Sequence, residues 1–145
     1  MAKEPGEAFV DVWVALMRAQ QSAMLKVERS AREAELPPVA WYDVLWELER
    51  AGDAGLRPSD IERQRLISQS NISRLIDRLE EAGYVERRPC EDDKRGQIVA
   101  ITAAGRETRK RMWPTYFKAL RDAIGGRISV REATILAGLL TKLAK

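Results

Sequence analysis

Residues 68–102 read SQSNISRLIDRLEEAGYVERRPCEDDKRGQIVAIT, and this stretch determines the fold of the chain. In the first half, Ile72, Leu75, Ile76 and Leu79 recur at i, i+3, i+4 and i+7, the single apolar stripe of a helix with one buried face. At about 100° per residue, Ser70, Arg74 and Asp77 point away from that stripe, and Ser73 and Arg78 flank it. Ser68 has the side chain of an N-cap, and Gly83 stands where a C′ glycine stops a helix. In the second half, residues 84–88 and 97–102 carry the alternation of half-buried strands, with Val85 against Glu86, then Ile98, Val99 and Ile101 among polar neighbours. Pro89 to Gly96 forms a polar hairpin tip between them. Helix, turn and β-hairpin in that order spell a winged helix. An apolar back with hydroxyls and arginines in front suits a DNA major groove.

Toward the N-terminus, residues 53–57 read as a loop, with room for one residue pair to add to the ribbon. Pro58 suits the first position of a short helix running to about Leu66, with Asp60 and Glu62 in its first turn and Ile61 and Leu66 as its clear apolar residues. This helix and the next make a helix-turn-helix. Upstream, Pro37-Pro38 separates a helix over 39–51 from a long one over 7–34. Trp41, Val44, Leu45 and Leu48 form a core stripe on the shorter helix, while Val39, Tyr42 and Trp46 project from its other side. Large aromatics on both faces place it between two packed bodies or in the wall of a cavity. The long helix is also apolar on two sides, through Phe9, Trp13, Leu16, Met17, Met24 and Val27 and through Val10, Val14 and Leu25. A subunit partner or plain intrachain core would each satisfy that pattern. Downstream, Thr102 caps a helix from Ala103 to about Ile124, bent by Pro114 and ended by Gly125-Gly126. Ser129 and Glu132 form a capping box for a last helix bearing Leu136, Leu139, Leu140 and Leu143.

Composition narrows the function classes. The 145 residues carry a net charge of +3, unevenly spread: −4 over 1–55, +1 over 56–106 and +6 over 107–145. So weak a bulk charge leaves the case for nucleic acid to placement. There is no histidine and only one cysteine, Cys90, so the commonest general base and any internal disulfide are missing. No phosphate-cradling glycine loop or metal-spaced carboxylates occur, and we expect no enzyme, no catalytic residue, no cofactor and no metal. No apolar run reaches the length of a membrane span, and MAKEPGEAF lacks the layout of a signal peptide, so a cytoplasmic protein without membrane association is expected.

The run from Leu56 to Gly105, LRPSDIERQRLISQSNISRLIDRLEEAGYVERRPCEDDKRGQIVAITAAG, resembles the DNA-binding region of the MarR family of bacterial transcription regulators. Three pieces carry the likeness together: SRLIDRLEEAGYVER, the tip DDKR, and ITAAG leading into a long helix. The resemblance implies a mostly α (α+β) fold, a winged helix-turn-helix with N- and C-terminal dimerisation helices. Residues 1–36 and 107–145 would form the helical dimerisation region and 37–106 the DNA-binding region, in one intertwined domain. It further implies a homodimer on a pseudo-palindromic operator in double-stranded DNA, with Ser68, Gln69, Ser70, Asn71, Ser73, Arg74 and Arg78 on the recognition-helix side. Asp93 and Arg95 match the family's Asp-x-Arg wing pattern, with Lys94 between them, where the aspartate orients the arginine that enters a minor groove. The chain departs from the family at Glu62 and Arg65, where a small residue and a leucine are usual. That departure leaves the length and packing of the first motif helix open, and makes Arg63 and Arg65 candidate phosphate contacts.

Each feature has a plainer reading beside it. Asp77, Glu80, Glu81, Asp92 and Asp93 are close enough in sequence to neutralise Arg74, Arg78, Lys94 and Arg95 in local pairs. Trp13, Met17, Tyr42, Trp46 and Trp113 are candidates to line a pocket for a small aromatic or phenolic effector, and core or dimer interface is the alternative. Cys90 sits beside Glu91, Asp92 and Asp93, a poor setting for a redox sensor. The function expected is a homodimeric DNA-binding repressor released by such a ligand; the alternative is a winged-helix module that binds protein or RNA without operator specificity.

Overall fold

The computed structural model describes residues 4–66, 71–90 and 96–145. The chain divides into two compact units, Ala31–Pro114 and Met1–Ser30 with Thr115–Lys145. The element order is α1 (Pro5–Glu33), α2 (Val39–Ala51), α3 (Pro58–Gln64), α4 (Ile72–Glu81), β1 (Val85–Pro89), β2 (Gln97–Ile101), α5 (Ala103–Leu120) and α6 (Val130–Leu143). A single 3₁₀ turn, Gly52–Ala54, follows α2, and a wider π-type turn, Arg121–Gly125, follows α5. Regular α-helix after the wing therefore ends at Leu120, earlier than the sequence spacing suggests.

The first unit is built around one apolar cluster. Val44, Leu45 and Leu48 of α2 meet Ile61 of α3, the stripe Ile72, Leu75, Ile76 and Leu79 of α4, Val85 of β1, and Val99 and Ile101 of β2. Burying each of these side chains contributes roughly 1.5–3 kcal/mol. Trp41 and Tyr84 close the edge of the cluster in an edge-to-face pair, ring centroids 6.0 Å apart. The strands are antiparallel, with Val85 opposite Ile101 and Pro89 opposite Gln97. Leu56 adds the extra pair to this ribbon: its N–H donates to the Val99 carbonyl at 2.9 Å and its carbonyl accepts from Val99 N–H at 2.8 Å. Gly55 makes that approach possible, because a Cβ there would lie 2.5 Å from both the Val99 carbonyl oxygen and Ile98 Cγ2.

The ends of α4 decide where the wing begins. Gly83 has φ +82°, and its N–H donates to the Glu80 carbonyl at 2.9 Å while Tyr84 N–H donates to the Leu79 carbonyl at 2.9 Å. This paired closure satisfies the last free carbonyls of the helix. Thr102 ties the same corner to α5: its hydroxyl donates to the Gly83 carbonyl at 2.6 Å and accepts from Gly105 N–H at 3.1 Å. At the other end the cap is Asn71, whose side-chain oxygen accepts from Arg74 N–H at 3.0 Å. The helix thus starts at Ile72, and the N-cap role expected of Ser68 belongs to Asn71. A shorter α3 is the other correction. It ends at Gln64, and Leu66 is 78% exposed, whereas Ile61 is fully buried as expected.

The second unit shows the opposite balance of apolar surface. Val27 and Ala119 are buried there, but Phe9 and Trp13 on α1 are 74% and 63% exposed, and Val130, Ile135, Leu136, Leu139 and Leu143 on α6 are exposed as well. The Ser129–Glu132 capping box is formed in full, with both hydrogen bonds between 3.0 and 3.1 Å.

Candidate nucleic-acid interface

Helix α4 turns its stripe inward and leaves Asn71, Ser73, Arg74, Asp77 and Arg78 exposed. Acidic residues on this face would oppose a phosphate backbone, so their pairing matters. Asp77 and Glu80 are both taken by Arg87 of β1, whose guanidinium lies 2.5 Å from Asp77 Oδ1 and 2.8 Å from Glu80 Oε1. The Arg87 backbone N–H also donates to Glu80 Oε2, at 3.1 Å. The local pairs anticipated with Arg74 and Arg78 are not the ones that form: among the described residues no carboxylate pairs with either arginine. The strand reaches the acids first because β1 packs beside α4, so two guanidinium groups remain to face outward.

The base of the wing is held by further arginines. Arg88 pairs with Glu86 at 2.6 Å and donates to the Asp53 carbonyl at 3.0 Å. Arg57 donates to Cys90 Sγ at 3.3 Å, and Cys90 N–H closes the hairpin on the Gly96 carbonyl at 3.0 Å. Arg63, a candidate phosphate contact, is paired with Asp60 at 2.5 Å on the exposed side of α3. Of the expected DNA-facing residues, Asn71, Ser73, Arg74 and Arg78 are on the face described above, though Asn71 spends its side-chain oxygen on the cap. Ser68, Gln69, Ser70, Asp93, Lys94 and Arg95 lie outside the described residues.

This geometry has known counterparts. The family model described as "MarR family" matches residues 36–96. The HTH-type transcriptional regulator PecS of Dickeya dadantii is 31% identical over 129 residues, covering 88% of this chain and 72% of PecS. The chain belongs to the MarR family. The transcriptional activatory protein BadR of Rhodopseudomonas palustris is 29% identical, covering 81% of this chain and 68% of its own. In three dimensions the chain resembles Sco3205, a MarR family transcriptional regulator from Streptomyces coelicolor solved in complex with DNA, at a TM-score of 0.82 and 26% identity, covering 99% of this chain and 89% of that one. The mostly helical winged-helix class expected from the sequence is thereby shown. No helix among the described residues is long and apolar enough to cross a membrane.

The aromatic residues expected to line an effector pocket in this MarR-family chain divide. Tyr42 and Trp113 come together, their rings stacked with centroids 5.9 Å apart and planes 19° apart. Arg109 donates to the Tyr42 hydroxyl at 3.4 Å and is ion-paired with Glu49. Burial pushes the Tyr42 phenol up from its ordinary pKa, and Arg109 pulls against that shift. Trp46 instead lies under the Arg50 guanidinium, 4.6 Å from its ring centroid. Trp13 and Met17 belong to the other compact unit.

Sequence reasoning missed four polar residues here. Asp43 and Glu47 are buried on α2, and Asp43 Oδ2 accepts from Leu66 N–H at 2.8 Å across 23 positions. Nothing in the spacing marks two carboxylates beside an apolar stripe as buried. Arg109 gave no signal either. Arg87 did: it is two residues from Val85, so strand alternation puts both on the inward face, and Arg87 is half-buried there.

Proposed function

We propose that this chain is a sequence-specific, double-stranded-DNA-binding transcription regulator that works as a homodimer in the cytoplasm. In this reading it represses from a pseudo-palindromic operator and is released by a small aromatic or phenolic ligand. The observation that carries it is the outward face of α4, where Ser73, Arg74 and Arg78 stand clear while Asp77 and Glu80 are neutralised by Arg87. A cationic face with small hydroxyls, borne on a rigid helix beside a ribbon, has the shape and charge to enter a major groove. The DNA complex of Sco3205 supports the same use of the fold. At the wing tip Asp93, Lys94 and Arg95 take the minor groove, where a narrow AT-rich segment attracts an arginine.

Dimerisation is supported by the apolar faces of α1 and α6, which a single copy leaves exposed. Water-exposed apolar area on this scale marks an association surface. A two-fold dimer sets two recognition helices about one turn of DNA apart. The ligand enters this proposal through Tyr42 and Trp113, a stacked aromatic pair with a buried phenol beside Arg109. It acts by favouring one lobe arrangement over another, which requires different affinities for the two.

Selection of bound fragments from random duplex DNA tests the reading in one step. The expected product is a pseudo-palindrome with half-sites one turn apart, bound steeply less well as salt rises. Equal retention of every sequence would remove operator recognition and leave the protein- or RNA-binding alternative.

A further inference from the structure

Beside α2 lies an open groove of about 500 Å³, lined by Glu47, Arg50 and Ala51 of α2, Leu56 of the bridge to β2, and Gln64 at the end of α3. That volume falls within the range of small-molecule sites. Its chemistry is lopsided. The Glu47 side chain is only 9% exposed, and the one ionic partner seen for it among the described residues is Arg50, at 3.9 Å, beyond hydrogen-bond distance. Arg50 is itself held over the Trp46 ring and is 62% exposed, so it leaves the carboxylate poorly compensated. Burial raises the Glu47 pKa above the ordinary carboxylate value, Arg50 lowers it, and Asp43 one turn away raises it.

A carboxylate on a largely buried side chain, with no direct hydrogen-bond donor among the described residues and its oxygens open to the groove, joins an amide and an apolar wall in a receptor for a compact cation with paired N–H groups. We infer that this groove binds a small amidine or guanidine, its two N–H groups forked onto the Glu47 carboxylate, its polar edge near Gln64 and its carbon body against Leu56. The fork matches carboxylate geometry, and both bonds are charge-assisted. The same helix holds the chain just past α3, since Asp43 Oδ2 accepts from Leu66 N–H. A ligand wedged between Glu47 and Gln64 therefore bears on the end of α3, the first helix of the helix-turn-helix. This second step rests on the DNA-binding reading above; the binding itself does not.

The test titrates the full chain with benzamidine, with benzamide and benzoate as the neutral and anionic probes of the same shape, following backbone amide shifts by NMR. Benzamidine alone is expected to bind, with shifts gathered at residues 47, 50, 51, 56 and 64. Glu47→Gln should weaken it about tenfold or more, and Arg50→Ala should tighten it by removing the competing cation. Equal binding of benzamide, shifts gathered elsewhere, or an unchanged affinity in Glu47→Gln would overturn the site. If Glu47→Gln fails to fold, Arg50→Ala decides alone: tighter binding supports the site and unchanged or weaker binding overturns it. Saturating benzamidine is then expected to change affinity for a selected operator several-fold, and no change would overturn the coupling to α4. Failure to bind any DNA, with benzamidine binding intact, would instead sink the function proposed above and leave the site standing.

Discussion

Arg87 and Asp77 meet at 2.5 Å across the corner between the wing and the recognition helix, and the same guanidinium reaches Glu80 at 2.8 Å. One side chain thus ties the hairpin to α4 and neutralises two negative charges on the outward face of that helix. Arg87→Ala should lower stability by about 1–2 kcal/mol, less than a fully buried pair because both carboxylates are partly solvated. Its larger effect is expected on DNA affinity, which loses the wing's orientation as well as the charge balance. Urea unfolding and operator titration on the same preparations separate the two, and a variant that loses stability but binds DNA normally would rule out the positioning role.

Arg74→Ala and Arg78→Ala should each weaken operator binding by roughly 1–3 kcal/mol without lowering stability, since neither arginine pairs with a carboxylate among the described residues. Arg95→Ala at the wing tip should cost a similar amount. An arginine that contacts only phosphate weakens all sequences alike and flattens the salt dependence by about one ion. Titrations on selected and scrambled duplexes at several salt concentrations tell the two kinds of contact apart.

Glu47 should make stability fall as pH rises. Burial raises its pKa above the usual 4.5, so the folded chain holds the proton more tightly than the unfolded chain between those two values. Its contribution is fully present below about 4.5 and is lost as pH climbs through the raised value. Glu47→Gln should remove that slope and raise the urea midpoint at neutral pH. Parallel midpoints from pH 4 to 7.5 in both proteins would show that the carboxyl is hydrated.

Glu35 holds φ at +55°, the left-handed region, where Leu36 N–H closes the end of α1 on the Ala31 carbonyl at 2.9 Å. A side chain there carries a backbone cost that glycine avoids. Glu35→Gly should therefore stabilise the chain by about 0.5–1 kcal/mol, although glycine elsewhere in a helix would destabilise it. A lowered melting temperature would show that the carboxylate makes a compensating interaction.

Phe9 and Trp13 lie one turn apart on α1 and are largely exposed in one copy. Replacing both with lysine should shift the protein to monomer in sedimentation while leaving the fold of residues 31–114 intact by circular dichroism. Operator affinity should then drop by about two orders of magnitude, because the second half-site is no longer reached by a linked lobe. A double variant that stays dimeric would move the interface elsewhere.

Local chemistry made the winged helix legible in the sequence. The 3.6-residue stripe of α4, the glycine at 83, the two prolines before α2 and the Ser129–Glu132 box are each set by neighbours a few positions away. The sequence by itself therefore determined the order of the elements, the inward face of α4 and the family. Periodicity places a side chain on a face, however, and says nothing of what arrives there from another element. Only the tertiary structure decided that Arg87 would take Asp77 and Glu80, leaving Arg74 and Arg78 outward. It likewise decided that Leu66 faces water and that Asp43 and Glu47 are buried. The Arg87 pairs and the Asp43–Leu66 contact depend on which groups packing brings within about 3 Å, and residues distant along the chain supply them.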